Sequence, residues 1–407
     1  MILSCAANYS TKTHWVGLIR LDYLTHSNTG QTFVSLAEEL LSGGDQEGSQ
    51  RAVEYLTKAM DYFGHAMVLQ TEQLELIGSL DTKMDTEEDG RADPLDSGEM
   101  DVTGEGDAKN IHIHPVEQWV VIKEPVTKVE LVDTITAQLE TLTVFCGVVQ
   151  STLDSSQFTY IKERGQELIV KLEALLEDVP QCKAEASLPQ ANFNISLADL
   201  KFKLEIISAR EYTKLVQEAF PSAPADSLGP VMLVNSAEAY IQLAQALSDH
   251  THRTTVDILL PEVLSYLTLA AKFLAEAAKE DKTNARLFCL RGDVEMWRSQ
   301  NIFRNEGYQN RMAAMETLWG NAGVYYRGAK RLAEAYPNAQ QDIRLEGAVK
   351  EIIIGIQQNL SRGDGGFSEI VATAKRDLEQ LPGWDTVAID AARHGIFDEI
   401  IPVELGK

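Results

Sequence analysis

The sequence predicts an all-α fold, a solenoid of antiparallel helix pairs, from three features. Apolar residues recur at helical spacing along most of the 407-residue chain. Runs of β-branched or alternating residues that would mark strands are nearly absent. Most links between periodic stretches are only a few residues long, which favours antiparallel neighbours. Hydrophobic residues make up 44% of the chain, enough for a sizeable core.

Taken in order, residues 1–31 carry no clear period and are expected to be poorly ordered or loosely docked. The first helical repeats, 32–80, open with an apolar stripe at Phe33, Leu36, Leu40 and Leu41, broken by Gly43-Gly44-Asp45. Ala52, Tyr55, Leu56 and Ala59 form the next stripe, and a third helix is expected from His65 to Leu80. An insertion at 81–115 follows, and residues 116–407 continue the solenoid. Val116–Ile122 reads as a short extended segment ending at Pro125. Thr127-Lys128-Val129-Glu130 has the pattern of a capping box. Behind it Val129, Val132, Ile135, Leu139, Leu142, Cys146 and Val149 share one helix face. Further helices are expected at about 156–178, from Ser196 to Phe220, and at 229–248, 261–279, 284–300, 307–318, 320–336, 341–361, 366–380 and 384–395. Long links are expected at 180–194 and 249–258.

The insertion has its own composition. Acidic residues stand at Asp81, Asp85, Glu87, Glu88, Asp89, Asp93, Asp96, Glu99, Asp101, Glu105 and Asp107, opposed by only Lys83 and Arg91. With five glycines and prolines and no aromatic residue, 81–107 cannot bury enough apolar surface to offset its ordering entropy, and a disordered acidic loop is predicted. The whole chain is acidic too: 61 Asp and Glu against 36 Lys and Arg give a net charge of −25. Such a surface repels nucleic-acid phosphates and anionic membranes and attracts basic proteins. No uninterrupted apolar run reaches the length of a membrane span. Cys5, Cys146, Cys182 and Cys289 are widely spaced and show no zinc-like pattern, which fits a reducing compartment, cytoplasm or nucleus.

Some helices carry small, bulky and small residues at i, i+4 and i+7. Ala52, Leu56 and Ala59 do so, as do Ala322, Tyr326 and Ala329, and in weaker form Ala271, Ala275 and Ala278. Tyr336-Pro337-Asn338-Ala339 looks like the Pro-x-Ala link between repeats. This pattern resembles the tetratricopeptide-repeat family over about half of the chain. The repeats depart from that family's regular length, so armadillo- or HEAT-like packing stays open. The resemblance implies a groove lined by the first helix of each pair, able to hold a peptide or a folded partner. The acidic insert among early repeats also resembles the layout of interrupted-repeat histone chaperones.

Candidates for chemistry are few. His112 and His114 fall on the same side of an extended segment, but no third metal ligand follows at a set spacing, and no metal is expected. Gly363-Asp364-Gly365-Gly366 lacks the lysine of a phosphate loop and reads as a turn. Arg291-Gly292-Asp293 spells an integrin-type tripeptide inside a helical pattern. There the glycine is expected to admit a neighbouring helix, and the charges to serve an ion pair or a groove contact. Neither a cofactor nor catalysis is expected. The expected function is a scaffold or dedicated chaperone holding a basic client, a histone or ribosomal protein, or a peptide in its groove, without direct nucleic-acid or membrane contact. The expected contact residues are Asp85, Glu87, Glu88, Asp89, Asp93, Glu99 and Asp101 of the loop, with Arg291, Asp293, Trp297 and Tyr326 of the helical body. The alternatives are a general adaptor subunit in a larger assembly with incidental acidity, a heat-shock co-chaperone, and an enzyme with a metal at the histidine pair.

Overall fold

The computed structural model of the chain describes residues 23–41, 46–84, 126–152, 155–220, 229–254, 260–305, 307–335, 341–362, 367–393 and 396. Every regular element among the described residues is helical. In order they are α1 (23–41), α2 (Gln46–Met84), α3 (Lys128–Thr152), α4 (Ser155–Asp178), a 3-10 turn (Pro180–Cys182), α5 (Lys183–Lys203) and α6 (Ala209–Ala219). Then come α7 (Pro230–Thr254), α8 (Leu260–Glu280), α9 (Ala285–Arg304), α10 (Arg311–Ala335), α11 (Gln341–Arg362), α12 (Phe367–Leu378) and α13 (Trp384–Arg393). The all-α, helical-repeat reading of the sequence is what the structure shows. The chain divides into two compact units: Met1–Thr152 with Ser156–Pro189, and Leu153–Ser155 with Gln190–Lys407.

In the first unit α2 packs along α3. Val34 of α1 meets Ala59 and Phe63 of α2, and Tyr23 clusters with Ala66 and Val126. The predicted capping box forms in both directions. The Thr127 N–H donates to Glu130 Oε2 (2.8 Å) and the Glu130 N–H to Thr127 Oγ1 (3.2 Å), so two donors that helix geometry would orphan are satisfied. Glu130 also accepts from the Tyr23 hydroxyl (2.9 Å), which ties α1 to the start of α3. Thr127→Ala is expected to lower the unfolding free energy by about 1 kcal/mol. Urea denaturation checks this, and an unchanged midpoint would mean that the cap contributes nothing. Residues 128–150 are long and apolar enough to cross a membrane by length and composition, although polar residues interrupt the run. Leu131, Val132, Ile135, Leu139, Leu142 and Phe145 are buried in helix packing here.

In the second unit, sequence neighbours are spatial neighbours. Packing runs α6 on α7, α7 on α8, α8 on α9, α9 on α10, α10 on α11, and α11 on both α12 and α13; α9 also touches α11. The α8–α9 link is held by polar side chains. Asn284 accepts from the Leu287 N–H (3.1 Å) to cap α9, and Asp281 accepts from the Thr283 N–H (3.3 Å) just before it. One core joins Leu233, Ala237 and Ile241 of α7 to Ala270, Leu274 and Ala277 of α8 and Leu287 and Val294 of α9. A second runs from Met296 of α9 through Trp319, Tyr326 and Ala329 of α10 to Val349 and Ile353 of α11, and on to Leu378 and Ala388. Ala52, Leu56, Ala59, Ala322, Tyr326 and Ala329 are completely buried. In the third triplet only Ala278 is buried, Ala271 and Ala275 being partly exposed.

Several expected boundaries are corrected. The chain is already helical at Tyr23, ahead of Thr32, and Tyr23 is buried against the start of α3. The second and third helices expected before residue 80 are one, α2, which runs through Gly64 to Met84 and so takes in the first residues of the expected acidic insertion. The helices expected at 307–318 and 320–336 are likewise one, α10, continuous through Gly320. The link expected at 180–194 is a 3-10 turn followed by α5, which accommodates Pro189. The helix expected from Ser196 to Phe220 is instead two. Glu205 takes a left-handed conformation (φ 57°), the Ile206 N–H reaches the Lys201 carbonyl (2.8 Å) and the Glu205 N–H that of Phe202 (2.9 Å). That is a Schellman stop without its usual glycine. Ser208 then caps α6 by accepting from the Glu211 N–H (3.3 Å). The remaining acidic insertion, the Val116–Ile122 segment, the histidine pair, the Gly363–Gly366 turn and the Tyr336–Ala339 link lie outside the described residues.

Candidate functional site

The structure places the helical-body candidates on α9 and α10, in three environments. The Arg291 guanidinium lies 4.2 Å from the centre of the Tyr325 ring and donates to the Tyr325 hydroxyl (2.9 Å), with Phe288 on its other flank. Gly292 faces inward. A Cβ there would overlap Tyr326 Cε1 and stand 2.7 Å from Cδ1, so the ring of α10 occupies the space a side chain would need. Gly347 repeats this on α11, where a Cβ would meet the Tyr326 carbonyl oxygen at 3.0 Å. Two glycines thus let α9 and α11 close on the same residue of α10.

Asp293 completes that junction. Its Oδ1 accepts from the Tyr326 hydroxyl (2.8 Å), and its two oxygens accept from Lys350 Nζ (2.8 and 2.9 Å); Lys350 also donates to Glu346. Burial opposes the Lys350 charge, but the carboxylates of Asp293 and Glu346 outweigh it and push the lysine above its ordinary pKa. Lys350 is therefore a cation sealed among three helices. Asp293 (7% exposed) and Tyr326 (0%) are inside the packing, not on a surface, which corrects their assignment as partner contacts. The tripeptide's glycine and aspartate have the roles expected of close approach and ion pairing. The loop residues Asp85, Glu87, Glu88, Asp89, Asp93, Glu99 and Asp101 lie outside the described residues.

Trp297 sits elsewhere, on a cleft of about 250 Å³ formed by the end of α5 with α7, α8 and α9. Its walls are mostly neutral amides and apolar groups: Gln242 and Gln245 from α7, Val263 and Leu267 from α8, Gln300 and Asn301 from α9. The charges present are matched. Lys203 Nζ pairs with the buried Asp199 (3.0 Å), which also accepts from Gln242 Nε2 (2.9 Å). Arg304 donates to Ser248 Oγ (2.8 Å); burial lowers its pKa, and nearby Asp249 opposes that shift. The unusual group is Asn301. It is 3% exposed, and neither its side-chain nitrogen nor its oxygen has a hydrogen-bond partner among the described residues. Its main-chain carbonyl is satisfied, accepting from the Asn305 N–H (3.1 Å). A carboxamide buried with both ends unmet costs roughly 1–3 kcal/mol per orphaned group, so the site is built at the expense of stability.

No protein-family model matches this chain, and no curated protein matches it. Among the described residues, no group of three or more His, Cys, Asp or Glu side chains converges as a metal site would require. Sequence reasoning missed two residues that matter here. Lys350 had a readable signal, a lysine placed among Ile343, Val349 and Ile353 on the inward face of a helix. Asn301 had a fainter one, a polar residue one turn after Trp297 on the apolar face of α9.

Proposed function

We propose that this protein is a non-catalytic scaffold or dedicated chaperone that holds a basic client polypeptide, of the ribosomal-protein or histone kind. The observation that carries the reading is a net charge of −25 on a body made of helical repeats. Repeats of this architecture, tetratricopeptide-like in the buried Ala322-Tyr326-Ala329 stripe, present long side-chain surfaces to other chains. The acidity supplies the attraction. A client's lysines and arginines are paired here before they meet nucleic-acid phosphate, and steering of this kind is fast and screened by salt.

Affinity purification of the tagged protein at low salt is expected to recover one strongly basic protein in near-equal amount. The dissociation constant of that complex is expected to rise at least about tenfold as salt goes from about 0.1 to about 0.5 M, because the screening length shrinks to a few ångströms. A complex of the same affinity at both salts would remove charge masking as the mechanism and leave the adaptor reading in its place.

A further inference from the structure

We infer that the cleft beside Trp297 grips the main chain of an extended peptide segment, with the Asn301 carboxamide as its central hydrogen-bonding group. This rests on the reading of the protein as a polypeptide holder and adds where, and by what chemistry, the polypeptide is held.

Asn301 has bonding capacity to spare. A primary carboxamide offers one acceptor and two donors in a plane, and none is used by the described residues. The matching ligand is a group that presents an N–H and a C=O side by side and is itself short of partners. The unpaired edge of an extended peptide does this at every second residue. The walls agree. Gln245 and Gln300 add further amides to the cleft wall, while Val263, Leu267 and Trp297 add apolar surface for a side chain. The formal charges cancel, Lys203 against Asp199 and Arg304 beside Asp249. A charge-balanced cleft fits neutral main chain better than a carboxylate or an ammonium group. It grips without reading sequence, leaving the preference for basic clients to the acidic surface. The Asn301 amide atoms are buried, so a peptide reaches them only as side chains of the cleft wall move; Gln300 and Arg304 are long side chains on that wall.

The test is a two-by-two comparison. Full-length wild type and Asn301→Leu are each titrated, by fluorescence anisotropy at low salt, with a labelled unstructured lysine–alanine repeat peptide. Each is then titrated with the same peptide carrying N-methyl groups on alternate main-chain nitrogens. Charge is identical in the two peptides, so any difference reports main-chain hydrogen bonding. Wild type is expected to bind the methylated peptide about tenfold more weakly, and Asn301→Leu to bind both peptides alike, at the weaker level. The variant is also expected to melt at a higher temperature than wild type, since leucine removes two buried unmet groups; that shows it is folded. If wild type binds both peptides equally tightly, the cleft inference is overturned while the basic-client reading stands. If wild type discriminates and Asn301→Leu discriminates equally, main-chain recognition lies elsewhere and Asn301 is a packing defect only. If neither peptide binds at low salt, attraction for basic polypeptide falls, and the cleft inference falls with it. Should the leucine variant not fold, Asn301→Ala with the same two peptides gives the same readout.

Discussion

Replacing Lys350 with methionine while Asp293 stays in place is expected to lower the unfolding free energy by about 3–5 kcal/mol, several times the effect of losing a helix cap. The reason is an asymmetry. Lys350 is 3% exposed, and both oxygens of Asp293 depend on it. Removing the cation leaves a buried carboxylate beside an apolar core that includes Met296 and Val349, with the Tyr326 hydroxyl its one remaining partner among the described residues. The cost is that of the stranded charge, not the net worth of the pair. The triple change Asp293→Leu, Tyr326→Phe and Lys350→Met removes charge and hydroxyl together, and is expected to recover most of the loss, because an apolar cluster of similar volume does not have to desolvate ions. Guanidinium denaturation of the single and triple variants decides the matter. A single variant within about 1 kcal/mol of wild type would show that water reaches Asp293.

The second large effect is at Gly292. Alanine is the better helix former by about 1 kcal/mol, so a glycine in the middle of α9 looks like a position to improve. The structure reverses the sign. A methyl group at Gly292 would overlap one ring carbon of Tyr326 and stand 2.7 and 2.8 Å from two others, and the ring is fully buried. Relief requires the body of α10 to shift, and overpacking of that kind costs about 1–3 kcal/mol; set against the propensity gain, a net loss of about 1 kcal/mol is expected for Gly292→Ala. Gly355→Ala on α11 is the control, since nothing among the described residues lies within 4 Å of the added carbon. There the propensity term acts alone and a gain of about 0.5–1 kcal/mol is expected. Thermal melting of the two variants compares them directly; shifts of the same sign would refute the close approach of α9 and α10.

What the sequence revealed follows from how local each interaction is. The Thr127–Glu130 box is four residues long and could be read outright. So could the burial of Ala52, Leu56 and Ala59, which needs only the helical period. The break between α5 and α6 could not: it turns on Glu205 adopting a backbone conformation that the sequence marks with glycine when it marks it at all. Breaks were expected before His65 and near residue 319, but α2 and α10 run on through Gly64 and Gly320 although glycine is a poor helix former. The candidate site was legible in part. Arg291-Gly292-Asp293 drew attention to the right turn of α9, but Lys350 lies 57 residues from the aspartate it neutralises, and no pattern of spacing announces such a pair. Asn301 is harder still, for an orphaned amide is recognised only when every neighbour is in place.

The contact between α9 and α11 has a kinetic implication. A stack in which each helix meets only the next can unzip from its free end one element at a time. Contact with the next helix but one couples two junctions, so loss of α11 weakens the hold on α9 as well as on α10. Peeling that starts from α13 is therefore expected to pass easily through α12 and to stall at α11. Amide exchange near Tyr326 and Lys350 should then require cooperative opening of all three helices, and be the slowest of that block.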